Sequence, residues 1–285
     1  MAYFYLRFPE GKERTVTFSY DDGCPQDLRF SDILSKYGLK GTFNICGDGL
    51  RGEKTIPKET MEEYFLSRGH EIAIHGYYHR APGRVRPIES IRDVLDNRIE
   101  HERKFGRIIR GMAYPDSAVS FFTDANDYET VRDYLKKLEI AYARGGEYND
   151  TFDLPTDWYN WKATAHHNDP KIFEKIEKFL NLDFTKKTYV GSLQSRLFYI
   201  LGHSFEFDYD NNWDRIESIC EKISGKDNIW YATNIEICDY VKAYNSLIFS
   251  ADGSIVYNPT LYKIWFDINR EHYVIEPGET LHLAY

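Results

Sequence analysis

From residue 16 to about residue 245, short apolar runs alternate with amphipathic stretches. No other feature constrains the fold as much. Strand-like runs fall at 16–20, 41–45, 71–74, 108–113, 140–143, 197–201 and 229–232. Helical patterns fall between them at 31–37, 58–67, 87–105, 128–138, 170–180, 213–223 and 235–244. In the 87–105 stretch, Ile88, Ile91, Val94, Leu95 and Ile99 recur at a helical period. Gly38 and Gly69 stand where left-handed residues end helices. Strands that alternate with helices imply βαβ units and a parallel sheet, and about seven units predict a barrel. After residue 245 the texture changes to short strands at 246–250, 254–257, 262–267, 273–276 and 281–283, with turns at Asp252-Gly253 and Pro277-Gly278. The expected organisation is a barrel over 1–245 and a small antiparallel appendage over 246–285.

Composition narrows the function classes. Of 285 residues, 42% are hydrophobic and 28% charged, as in a soluble globular enzyme. A formal charge of −9 argues against nucleic acid, whose phosphates it would repel. No apolar run is long enough to span a bilayer. Residues 1–7 turn polar too soon for a secretory signal, so the expected compartment is the cytoplasm, or else this is a mature secreted form. Cys24, Cys46, Cys220 and Cys238 are too far apart for a disulfide scaffold or a thiolate zinc site and read as free and mostly buried.

The chemistry lies at the ends of the strand-like runs. Thr15-Val16-Thr17-Phe18-Ser19-Tyr20 stops at Asp21-Asp22-Gly23. Alternation along a strand sends the two carboxylates to opposite faces, so they do different jobs. Side by side at a buried strand end, they repel unless a cation is present. The next candidates, His75 and His79, follow the run 71–74 at the i, i+4 spacing of a shared metal. With Asp22 they make two nitrogens and one carboxylate, the ligand count of a catalytic zinc site with an open position. His70-Glu71 with His75 misses the zinc-protease signature by one residue, on a strand instead of a helix. His203 ends the run 197–201; it is either a satisfied core histidine or a general acid.

Ser19-Tyr20-Asp21-Asp22-Gly23, then His75-x-x-x-His79, then Leu201-Gly202-His203, in that order, resemble the motifs of the NodB-type polysaccharide deacetylases, carbohydrate esterase family four. The resemblance covers roughly residues 10–245. It implies a distorted (β/α)7 barrel and metal-dependent removal of acetyl groups from sugars. It assigns Asp21 as general base, Asp22, His75 and His79 as metal ligands, His203 as general acid and Leu201 as a wall of the acetyl pocket. The implied cofactor is one divalent ion, zinc, with cobalt or nickel as alternatives; the implied partner is a carbohydrate.

Three departures stand out. The family's third motif, Arg-x-Pro-Tyr, has its nearest counterpart in Arg110-Gly111-Met112-Ala113-Tyr114-Pro115, with Ala113 where the arginine belongs. Arg144, after a strand-like run, is the candidate replacement to pair with Asp21, and Arg110 is the other. Tyr114 is the nearest match for the backbone oxyanion donor. Gly76 stands where the family commonly has a hydroxyl residue. Asp157-Trp158-Tyr159-Asn160-Trp161 resembles the Asp-Trp of a fourth motif, so Trp158 and Trp161 are candidate pocket walls. His167, beside His166, is a candidate substrate contact and not a second metal site. The alternatives left open are an O-acetyl esterase, a linear-amide hydrolase, and a carbohydrate-binding protein on a deacetylase scaffold.

Overall fold

The computed structural model describes residues 2–51, 55–116, 125–185 and 193–283. After β1 (Phe4–Arg7), the parallel sheet is built from β2 (Arg14–Asp22), β3 (Gly41–Ile45), β4 (Glu71–Ile74), β5 (Gly111–Ala113), β6 (Tyr142–Tyr148), β7 (Trp161–Ala163), β8 (Ala165–His166), β9 (Arg196–Gly202) and β10 (Ile229–Tyr231). The order is β7-β6-β5-β4-β3-β2-β9-β8, with β10 paired to the first half of β2. β7 and β8 are one segment interrupted at Thr164, so both ends of the sheet are the same piece of chain. Thr164 seals the join: its N–H donates to the Tyr199 carbonyl at 2.8 Å, and the Tyr199 N–H donates to its Oγ1 at 3.0 Å. The sheet is thus a nearly closed barrel of the (β/α)7 type.

β2 shows how the layers form. Val16, Phe18 and Tyr20 point outward; Phe18 and Tyr20 pack on Phe30 of the helix Gln26–Lys36, with ring centroids 6.2 and 3.9 Å away. Thr15, Thr17, Ser19 and Asp21 occupy the other face, towards the barrel axis. That interior is polar, and its lower end is stoppered by the helix Asn234–Asn245. The Thr17 hydroxyl donates to Asn234 Oδ1 at 2.9 Å. Glu71, fully buried, accepts from Tyr142 (2.8 Å), Thr42 (2.9 Å) and the Ile235 N–H (2.8 Å). Burial pushes the Glu71 carboxyl up to about 7, against the pull of those three donors. The folded state therefore keeps a proton that the unfolded chain loses near pH 4.5. Stability contributed by this group is present below that pH and falls as pH rises to about 7. Replacing Glu71 with Gln should remove that dependence. Urea melts at pH 5 and pH 8 should differ by ~1–3 kcal/mol less in the variant than in the parent.

The C-terminal strands form two small antiparallel sheets. β11 (Ile248–Phe249), β12 (Ile255–Tyr257) and β15 (Thr280–His282) make one. β13 (Ile264–Ile268) and β14 (Glu271–Ile275) join β1 in the other, an N-terminal contribution the sequence pattern did not disclose. Arg7 and Asp267, both buried, pair at 2.6 Å across that sheet. Tyr240 links it to the barrel by donating to the Arg7 carbonyl (2.8 Å) and accepting from the Trp265 N–H (3.0 Å).

Two strand boundaries moved, each for a local reason. The Ile140 N–H closes the turn of the helix Tyr128–Lys137 by donating to the Leu135 carbonyl, so β6 begins only at Tyr142 and runs on through Gly145-Gly146 with an irregularity in register. Ile108 is 77% exposed, and β5 starts at Gly111. The helix expected at 58–67 is observed as Lys58–Met61 followed by a π turn, Glu62–Leu66. All four cysteines are buried, and none is in a disulfide among the described residues. Among the described residues no helix is long and apolar enough to cross a membrane.

Candidate active site

In a parallel barrel the strand C-termini gather on one rim, and β2, β3, β4, β6 and β9 bring the polar residues of this site together there. Asp22 Oδ1 lies 3.7 Å from His75 Nε2 and 3.4 Å from His79 Nε2. Two nitrogens and an oxygen around one tetrahedral zinc ion, with bonds of ~2.0–2.1 Å, are separated by ~3.3 Å. The three side chains therefore fit a divalent ion, and their donor set leaves a coordination position open. The tautomer agrees: His75 Nδ1 stands 2.9 Å from the Ala113 carbonyl, which places its proton there and leaves the Nε2 lone pair facing Asp22. His79 Nδ1 faces Asp116 at 3.9 Å. Asp22 (φ 83°) and His79 (φ 53°) both adopt left-handed backbone, which costs ~1–3 kcal/mol each and aims the two side chains inward.

Gly76 explains one departure from the family pattern. Its φ is +76°, and a Cβ there would meet Asp93 Oδ2 at 2.4 Å. Asp93, from the helix Pro87–Phe105, instead holds the histidine loop by accepting from the Tyr78 N–H at 2.8 Å. A side chain there would be strained by the positive φ and would have to displace the Asp93 carboxylate.

Asp21 sits beside this group without joining it on the same terms. Its Oδ2 pairs with Arg144 Nη2, and its Oδ1 accepts from Asn44 Nδ2 at 2.9 Å. Burial works to raise the Asp21 carboxyl pKa, but Arg144, His75 and His203 outweigh it, so the net direction is downward. Arg110, the other candidate, pairs with Asp239 instead.

His203 follows the inward-facing Leu201 on β9. Its Nδ1 is 3.4 Å from Glu206 Oε1. Burial would lower its pKa, yet Glu206, Asp21 and Asp22 together turn the direction upward.

The remaining candidates lie differently. Tyr114 is buried, and its backbone N–H donates to the Arg144 carbonyl at 3.0 Å, so that donor is already engaged. Trp161, 1% exposed, pairs in register with Arg144 and packs against Tyr142 and Tyr199 inside the barrel. Trp158 packs on Trp161 at 4.9 Å. Asp157 accepts from the Tyr159 N–H and the Tyr128 hydroxyl. His167 is fully buried against Tyr20 and Phe207. Asn44 and Asp93 were not singled out from sequence. Asn44 carried a usable signal, an amide at the end of an otherwise buried strand, directly opposite Asp21 in the β2–β3 register.

Fold and site together define a parallel βα barrel with a carboxylate–histidine centre on its C-terminal rim. The polysaccharide deacetylase family model matches residues 9–143, a span that contains Asp21, Asp22, His75 and His79. Two solved structures share the fold. A polysaccharide deacetylase, described as putative, from Mycobacterium smegmatis aligns at 16% identity and a TM-score of 0.55, over 85% of this chain and 94% of that one. A variant of the peptidoglycan deacetylase PdaC from Bacillus subtilis aligns at 18% identity and a TM-score of 0.51, over 84% of this chain and 95% of that one. No curated protein matches the sequence significantly. The match to the polysaccharide deacetylase family model thus spans just under half of the chain, and the likeness to the two solved structures is one of fold.

Proposed function

We propose that this protein is a metal-dependent hydrolase that removes acetyl groups from an N-acetylated sugar, oligosaccharide or polysaccharide. The observation that carries this reading is the division of labour between adjacent carboxylates. Asp22 converges with His75 and His79, while Asp21 is held beside them by Arg144 and Asn44.

Asp22, His75 and His79 would hold one divalent ion, for which zinc suits the two imidazoles best and cobalt or nickel are alternatives. When bound, that ion polarises the acetyl carbonyl and makes a water molecule more acidic. Asp21, kept ionised by Arg144, accepts the proton of the attacking water. The new bond joins the water oxygen to the acetyl carbon. The bond that breaks is the one from that carbon to the sugar nitrogen. His203 gives its proton to the departing nitrogen, which would otherwise be a very poor leaving group. The products are acetate and the free amine. Leu201, two residues before His203 on the inward face of β9, would meet the acetyl methyl.

The test is acetate release from N-acetylated oligosaccharides, acetylated xylan and linear amides, each with zinc or cobalt and again with chelator. The expected result is chelator-sensitive release from the N-acetylated sugars. Release only from xylan would identify an O-acetyl esterase. No release from any substrate, with metal bound, would support a carbohydrate-binding role.

A further inference from the structure

One carboxylate on the rim is surrounded by three imidazoles. Glu206, at the start of the helical turn Glu206–Tyr209, has its Oε2 3.1 Å from His166 Nε2 and 3.2 Å from His167 Nε2. The same oxygen accepts from the His203 backbone N–H at 3.2 Å. Its other oxygen, Oε1, stands 3.4 Å from His203 Nδ1.

The protons on the two neighbouring rings can be assigned from their other contacts. The Asn168 N–H donates to His166 Nδ1 at 3.1 Å, so a neutral His166 carries its proton on Nε2, facing Glu206. His167 Nδ1 lies 3.1 Å from the Tyr20 hydroxyl. Burial pushes the Tyr20 hydroxyl pKa well above its ordinary value, so the group keeps its hydrogen and can donate it to Nδ1. With Tyr20 as the donor, a neutral His167 carries its proton on Nε2, the nitrogen 3.2 Å from Glu206 Oε2. Burial first, with help from its charged neighbours, pushes the His167 pKa down to about 3, which keeps that ring neutral. The local backbone is built for this arrangement, since a Cβ on Gly202 would fall 1.9 Å from His167 Nδ1.

We propose that Glu206 is the positioning residue of His203, held through Oε2 by His166 and the His203 backbone with the His167 ring packed beside it, and presenting Oε1 to His203 Nδ1. His203 then carries its second proton on Nε2, the nitrogen left to meet the leaving group. His166 and His167 act through Glu206 and touch no substrate. The groups that face His203 are Glu206 from its own loop, Asp21 and Asp22 from β2, and His166 and His167 from β8 and the residue after it. The role given to Glu206 rests on the reading of His203 as the general acid, but the pairing itself can be measured without turnover.

The test is long-range proton–nitrogen NMR on protein labelled in histidine nitrogen, zinc-loaded, as parent and as Glu206→Gln. In the parent, neutral His203 should be the Nδ1–H tautomer with a titration midpoint above the ordinary 6.5. In Glu206→Gln the tautomer should shift towards Nε2–H and the midpoint should drop by about one pH unit. On an active substrate, kcat should fall ~10–100-fold with KM nearly unchanged, and the alkaline limb of the rate profile should move to lower pH. Glu206→Asp should restore part of the midpoint. His166→Asn, at a partly exposed ring, should give a smaller change of the same sign. An unchanged tautomer and midpoint in a folded Glu206→Gln would overturn the proposal. So would a second zinc equivalent lost with Glu206, which would make the carboxylate a ligand. Normal NMR behaviour with no acetate release from any substrate would leave the pairing intact and count against the deacetylase reading.

Discussion

Replacing Asp21 with Asn should lower the rate of acetate release by ~10²–10⁴-fold while leaving one zinc ion per chain, because the substitution removes the proposed base and none of the three proposed ligands. The geometry makes the prediction specific. Asn is close in size to Asp and keeps a carbonyl oxygen for Asn44 or Arg144, but it cannot take a proton from water. It also leaves the buried Arg144 guanidinium facing a neutral group. Thermal melting and metal content should therefore be recorded beside the rate. A folded, zinc-loaded variant with parental turnover would show that Asp21 is not the base.

The largest effect on stability is expected at the other end of that pair. Arg144 and Asp21 are both almost fully buried. Removing one partner from a buried ion pair costs ~3–5 kcal/mol, because the other charge is left without compensation. Arg144→Met should lose about that much in denaturant unfolding of the metal-free protein. The loss should shrink when zinc is present, since a cation near Asp21 supplies some of the missing charge. Arg144→Lys should recover only part of it, because a point-like ammonium cannot reproduce the fit of the planar guanidinium. Equal losses with and without zinc would mean that no cation binds near Asp21.

How much of this site could be read in the sequence depended on how local each relationship was. Asp22, His75 and His79 needed only strand ends and an i, i+4 spacing, and the structure brings them together. Arg144 could be named because it follows an apolar run, although the strand proved longer and shifted. Tyr114 shows where such reasoning stops. Whether its N–H is available depends on hydrogen bonding between β5 and β6, and there it is donated to the Arg144 carbonyl. Trp161 was a candidate pocket wall through its resemblance to the fourth motif, and its register with Arg144 sets it inside the barrel. The His166–His167–Glu206 arrangement depends on Gly202 admitting an imidazole from the neighbouring strand, a purely tertiary fact. β1 was hidden for a related reason: its partner lies some 260 residues away at the other end of the chain.

The most direct test is acetate release from an N-acetylglucosamine oligomer by protein stripped with chelator, then titrated with zinc. The predicted result is no release from the stripped protein and recovery that saturates at one equivalent, with neither binding nor recovery in His75→Ala or His79→Ala. Release that persists without metal, or recovery that survives loss of either histidine, would contradict the assignment of Asp22, His75 and His79 as the metal site.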